Sequence, residues 1–234
     1  MKPIHLHKTF PLAGVAIILL GVLPACDKQA TDYREYLNGK EKVYPGLMKN
    51  LEVLPGKERV RFSWQPSADP SIKSYKITWN RGASSLEVAA TSHDPSQTLT
   101  ATVNGLAEDT YDFKIYAQDG AGNISVPIEK AGVRSYGGRY QSGLGNRGIV
   151  SKWFEGDKTL VIQWATADTV HTGSRITYTD LAGQEQTVDA GAAVTETRLP
   201  DCREDEPVSV LSGYKPVRLA IDTFYALKPD TLKF

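Results

Sequence analysis

A chain of 234 residues has room for one or two domains, and 27 basic against 27 acidic side chains leave no net charge with which to draw in a polyanion. Nucleic acid is excluded as an expected partner on that ground. With 41% apolar and 23% charged residues, the bulk of the chain has the composition of a protein that buries an ordinary core.

The first 25 residues differ in kind. Lys2 and Lys8 form a basic start, and an apolar run follows from Phe10 through Leu23, as in a secretory signal peptide. The run is shorter than the roughly 20 apolar residues of a membrane span. It closes on Leu23-Pro24-Ala25-Cys26, which resembles the bacterial lipobox. That resemblance implies lipidation of the Cys26 thiol by a diacylglycerol, cleavage just before it, and acylation of the new amino terminus. Two or three acyl chains, at about 0.8 kcal/mol per buried methylene, make such an anchor effectively permanent. The alternative is a core thiol at Cys26 or a disulfide with Cys202. Cys202 itself falls in the polar run Asp201-Cys202-Arg203-Glu204-Asp205-Glu206, read as a loop whose acids raise the thiol pKa.

Residues 26–47 read as the lipidated Cys and a polar tether without sustained apolar period, long enough at ~3.5 Å per residue to hold a domain some tens of Å off the bilayer. Alternation with period two then begins, in Leu51-Glu52-Val53, Arg59-Val60-Arg61-Phe62-Ser63-Trp64 and Tyr75-Lys76-Ile77-Thr78-Trp79. Turn residues fall between these runs, at Pro55-Gly56, Pro66 to Pro70, and Asn80-Arg81-Gly82. Short alternating strands with such punctuation predict an all-β sandwich.

The stretch Val103-Asn104-Gly105-Leu106-Ala107-Glu108-Asp109-Thr110-Tyr111-Asp112-Phe113-Lys114-Ile115-Tyr116-Ala117 resembles the sixth-strand region of fibronectin type III domains. In that family a Leu five residues before a Tyr marks a corner whose phenol bonds back to nearby backbone. The resemblance gives Leu106 and Tyr111 structural roles and matches Trp64 to the family's early-strand core Trp. Residues 48–134 are the expected first domain.

The second half repeats the first at an offset near 100 residues. Val60-Arg61-Phe62-Ser63-Trp64 aligns with Leu160-Val161-Ile162-Gln163-Trp164, Ile77-Thr78-Trp79 with Ile176-Thr177-Tyr178, and Phe113-Lys114-Ile115 with Val208-Ser209-Val210. Glu206 stands where the corner Tyr would be, so residues 148–234 read as a degenerate sandwich with an open strand topology and Trp164 in its core. Ile221-Thr223-Tyr225 is the expected alternation of a late strand. Residues 135–147 form a junction rich in Gly, whose Tyr136 and Tyr140 predict packing rather than free flexing.

The mature chain is also similar to an uncharacterised family of surface lipoproteins from the Bacteroides group, a domain of unknown function. The matching pieces are Tyr36-Leu37, Gly39 and Glu41 before Tyr44; Trp64, Asp69-Pro70 and Trp79; Tyr136-Gly137 and Asn146-Arg147; and Ala220-Ile221-Asp222-Thr223-Phe224-Tyr225. The resemblance implies an outer-membrane or cell-surface location near systems that capture glycans, and it supplies no catalytic residues.

The chemistry-bearing patterns are sparse. His93 and His171 each stand alone beside turn residues and read as solvated loop histidines, so no metal or other cofactor is expected. Glu108-Asp109 and Glu204-Asp205-Glu206 read as solvated acidic loops; a hydrolase would need carboxylates from both domains to meet in one pocket, roughly 5 to 9.5 Å apart. What remains is binding by exposed aromatics, with Trp79, Trp153, Phe154, Tyr136, Tyr140 and Tyr214 as the candidates. The expected function is a non-catalytic binding or spacer module, held to the membrane by its lipid and meeting either a glycan or a surface protein.

Overall fold

The computed structural model describes residues 43–156 and 158–234. The signal peptide expected at 1–25, the lipidation expected at Cys26 and most of the expected tether fall outside the described residues.

Seven strands make the first sandwich: β1 (Lys49–Pro55), β2 (Arg59–Gln65), β3 (Ile72–Trp79), β4 (Ser84–Ala89), β5 (Leu99–Asn104), β6 (Thr110–Asp119) and β7 (Ile128–Arg134). They form two antiparallel sheets in the orders β1-β2-β5 and β4-β3-β6-β7. Period-two alternation aims Val60, Phe62 and Trp64 inward from one sheet and Tyr75, Ile77, Phe113 and Ile115 from the other, all essentially without solvent exposure. Phe62 meets Phe113 edge-on at 5.0 Å between ring centroids, and Trp64 meets Tyr75 at 5.1 Å. Leu106 is buried, and the Tyr111 hydroxyl donates to the Ala107 carbonyl at 3.1 Å, which closes the expected corner.

The described end of the tether belongs to this body. Pro45 and Met48 are buried, and the Gly46 amide donates to Asp69 at 2.9 Å. A side chain on Gly46 would have to displace the Ser67 hydroxyl and crowd Asp69. Asp69 also accepts from the Ser71 amide and hydroxyl, and these bonds hold its carboxyl below the usual range.

A short helix, α1 (Gly138–Ser142), leads into the second sandwich: β8 (Ile149–Phe154), β9 (Leu160–Trp164), β10 (His171–Thr179), β11 (Glu185–Gly191), β12 (Glu196–Leu199), β13 (Val208–Tyr214), β14 (Phe224–Tyr225) and β15 (Asp230–Leu232). Its sheet orders, β12-β9-β8 and β11-β10-β13 followed by β14 and β15, repeat those of the first. The internal repeat holds to the residue. Ile77 lies opposite Ile115, and their counterparts Ile176 and Val210 lie opposite each other. The topology is therefore the fibronectin type III order in both halves, although the corner Tyr is missing from the second.

Two local substitutions of structure accompany this degeneracy. At the corner, Cys202 is fully buried, its amide bonded to the Lys158 carbonyl at 3.0 Å, and the Arg203 amide bonds to Thr179 at 3.0 Å. At the last strand, Ile221-Thr223-Tyr225 does not run as one strand. Only Phe224 and Tyr225 pair with β13, and pairing resumes at Asp230 beyond Pro229, which has no amide hydrogen to give a ladder. Asn146 fills the gap: its side-chain oxygen accepts from the Ser212 amide at 2.8 Å, and its amide nitrogen donates to the Lys228 carbonyl and to Asp230.

Between the sandwiches lies a joint assembled from three distant segments. The Tyr136 amide donates to the Gly56 carbonyl and the Glu58 amide to the Tyr136 carbonyl, while the Ile221 amide donates to Pro55 at 2.9 Å. Asp222 accepts from the Lys57 amide at 2.7 Å and from the Arg59 guanidinium through both oxygens. The rings of Tyr136, Tyr140 and Phe224 pack mutually edge-on, with centroids 5.1–6.4 Å apart. Direct backbone bonds from both sides make the junction a lock.

Candidate functional site

The six candidate aromatics separate into four environments. Tyr136 and Tyr214 are buried, and Tyr140 is half-buried in the joint with its hydroxyl inside. These three are structural: a ligand finds no open ring face on Tyr136 or Tyr214, because their faces are spent on Phe224, Tyr140 and His171. Phe154 packs against the second core and meets the Phe234 ring at 5.0 Å. Trp153 is 39% exposed on β8, the border strand of its sheet, and lines no described groove. Trp79 continues the inward parity of Tyr75 and Ile77 to the end of β3, where the core runs out, and packs 6.1 Å from the Phe113 ring.

That position gives Trp79 a groove of about 600 Å³ at one end of the first sandwich. Tyr111 and Tyr116 from β6 also line it, together with Asn80, Arg81 and Lys114. Three aromatic residues among polar ones are a lining that suits a ligand with both apolar and hydroxylated faces. The groove's rim is the turn after β3, where Asn80, Arg81 and Gly82 all have positive φ, at 52°, 56° and 88°. Left-handed backbone is relaxed for glycine and tolerated by asparagine, but costs roughly 1 kcal/mol for a residue such as Arg81. The turn is closed by the Ala83 amide on the Asn80 carbonyl and by the Asn80 side chain on Ser84, both at 3.1 Å.

The acidic loops differ from the solvated reading at one position. Glu108 has a side chain only 8% exposed, and its two oxygens accept from the Arg139 amide at 2.6 Å and the Tyr140 amide at 2.8 Å. It satisfies the free amides at the start of α1, so its carboxylate is committed to the joint. Its neighbour Asp109 faces the groove. In the second domain Glu204 pairs with Lys158 at 3.0 Å and Asp205 with Arg203 at 2.6 Å, on the surface. Among the described residues, no three or more His, Cys, Asp or Glu side chains converge on a metal position.

Neither histidine is the solvated loop residue expected. His93 bonds the Ile72 carbonyl at 2.8 Å and is half-buried. His171 is buried, lies against Tyr214 at 5.2 Å, and reaches Ser174 at 3.2 Å, which in turn meets Ser212 at 2.7 Å. Beside this chain sits Arg147, buried over the Trp164 ring and donating to the Ala165 and Val194 carbonyls at 2.8 and 2.9 Å. Burial and the Arg147 charge hold His171 below its ordinary pKa.

Cys202 shifts in the expected direction for a different main reason. Burial, and secondarily Glu204, push its thiol up to about 11. The native protein is expected to resist a thiol reagent at pH 8 and to react stoichiometrically only in denaturant, as a timed thiol assay would show. Rapid labelling of the folded protein would contradict that burial.

The sequence reading missed Tyr116, Arg81, Asn146 and Asp222 as residues with defined tasks. For Arg81 a signal existed: a bulky residue inside an Asn-x-Gly turn, where only left-handed backbone closes the hairpin.

A search of curated proteins returned no match. Among solved structures the chain is similar to the two-domain fibronectin type III segment from chicken tenascin, at 18% identity over 80% of this chain and 99% of that one, with a TM-score of 0.32. It is also similar to the FN1–FN3 domains of chicken CNTN1, at 12% identity over 80% of this chain and 64% of that one, with a TM-score of 0.45. Residues 26–224 match the DUF4998 family, described as a domain of unknown function, and the chain belongs to that family.

Proposed function

We propose that this protein is a non-catalytic surface lipoprotein, anchored through Cys26 at the outer membrane, whose locked pair of sandwiches presents a saccharide-binding groove to captured glycans. The observation that carries the reading is the Trp79 groove, in which Trp79, Tyr111 and Tyr116 supply flat apolar surface among hydrogen-bonding side chains. The joint supports it, because Glu108 and Asp109 are consecutive and tie the groove to the lock, so the site is carried on a stiff body.

A glycan array probed with the mature chain, beside its Trp79→Ala and Trp153→Ala variants, tests the assignment. Trp79→Ala is expected to raise Kd at least about tenfold, the equivalent of ~1.4 kcal/mol, with the same cooperative unfolding. Trp153→Ala is expected to bind as the parent does. If the array stays dark while a specific surface protein is retained by pull-down, the protein is an adhesion module instead.

A further inference from the structure

The charges around the groove are unequally engaged. Lys114 is paired with Glu129 at 2.6 Å. The Asp109 carboxylate accepts from the Thr110 amide at 2.8 Å, and the Asp112 carboxylate from the Gly132 amide at 2.8 Å, where a bulge in β7 turns on a left-handed glycine. Arg81 alone among these charged side chains has no hydrogen-bond or ion-pair partner among the described residues. It is exposed, and the strained turn holds it at the rim of a groove that Trp79, Tyr111 and Tyr116 also line. A glycine at position 81 would relax the backbone, so the fold carries a cost to keep a guanidinium there.

We propose that the groove selects an acidic saccharide, a pyranose bearing a carboxylate or a sulfate ester, whose anion is taken by Arg81 while the ring lies against the aromatic lining. The planar fork of a guanidinium matches two oxygens of either anion with charge-assisted hydrogen bonds. Next to a partly apolar wall, such bonds gain over their exposed counterparts. This inference rests on the saccharide reading above and adds the ligand's charge to it.

The test uses the full chain, purified in detergent, titrated calorimetrically with three probes of equal length: an oligogalacturonate, a sulfated galactan oligosaccharide and a neutral galactan oligosaccharide. One or both acidic probes are expected to bind at least about tenfold tighter than the neutral one, as one charge-assisted hydrogen bond provides, and the stronger of the two identifies the anion. Arg81→Gly is expected to abolish that preference and to melt at the same or a higher temperature. Arg81→Lys keeps the charge without the fork and is expected to retain only part of the preference. Equal binding of all three probes, with Trp79→Ala abolishing it, overturns the acidic selectivity and leaves the saccharide site standing. An Arg81→Gly variant that keeps the preference also overturns it. Binding of none of the probes overturns the two readings together.

Discussion

Phe224→Ala is expected to destabilise the protein by about 3–5 kcal/mol, the usual cost of truncating a buried phenylalanine. Phe224 is 1% exposed and sits on β14, a strand of two residues that has little else to hold it. Its ring meets Tyr140 at 5.1 Å and Tyr136 at 6.4 Å, and the Lys57 ammonium lies 5.9 Å from its centroid. Removing it empties the centre of the joint, and the neighbouring contacts of Ile221 and Asp222 with Pro55, Lys57 and Arg59 lose their backing. Scanning calorimetry should register both effects. The parent is expected to melt in one transition and the variant in two, with the second sandwich first and lowered by at least about 12 °C, at ~4–8 °C per kcal/mol for a domain of that size. A variant that keeps one transition, with a midpoint near the parent's, would mean that the rings do not couple the halves.

Arg147→Met should cost about 2–3 kcal/mol, the worth of its charge-assisted hydrogen bonds. Methionine keeps an apolar stem against Trp164 but leaves the Ala165 and Val194 carbonyls without the guanidinium that serves them. The same substitution changes the pH dependence. His171 is held below its ordinary pKa, so the folded protein keeps it neutral while the unfolded chain takes up a proton below about pH 6.5. Stability from this group is full above that pH and is lost as pH falls from there toward the folded value. Arg147 is one of the two influences that lower His171, the other and larger being burial. Denaturant titrations between pH 5 and 8 should therefore show a shallower acid loss in Arg147→Met than in the parent. An unchanged slope would show that burial alone sets His171.

The strands were legible because their cause is local. Alternation in Val60-Arg61-Phe62-Ser63-Trp64 has one explanation, a strand with one buried face, and the offset to Leu160-Val161-Ile162-Gln163-Trp164 carried that explanation to the weaker half. Trp79 was also within reach, since a tryptophan that ends an inward-facing row stands where a core meets solvent. The joint was not. Asp222 serves Lys57 and Arg59 from 165 and 163 positions away, and Asn146 serves Lys228 and Ser212 across 82 and 66. Pairings of that separation leave no periodicity, and the residues read as loop polarity. Glu108 misled for the same reason: its partners are the first amides of a helix of five residues inside a Gly-rich segment, too short to show a helical period. At His171 a register shift at the start of β10 hides the strand, so the sequence there reads as a turn.

Three stretches, Tyr136-Gly137, Asn146-Arg147 and Ala220 to Tyr225, are the material of the joint and of the gap beside β13. Tandem sandwiches strung on free linkers can be duplicated, dropped or exchanged one at a time. Here the first sandwich presents Pro55, Gly56, Lys57 and Arg59, and each of them is bonded across the joint by Tyr136, Ile221 or Asp222. A gene fragment that ended at residue 134 would leave those groups open to water, and one that began at 148 would take from Ser212 its bonds to Asn146 and Arg147 and from Phe224 its contacts with Tyr136 and Tyr140. The two sandwiches are thus one physical unit, and either made alone is expected to be less stable than it is beside its partner.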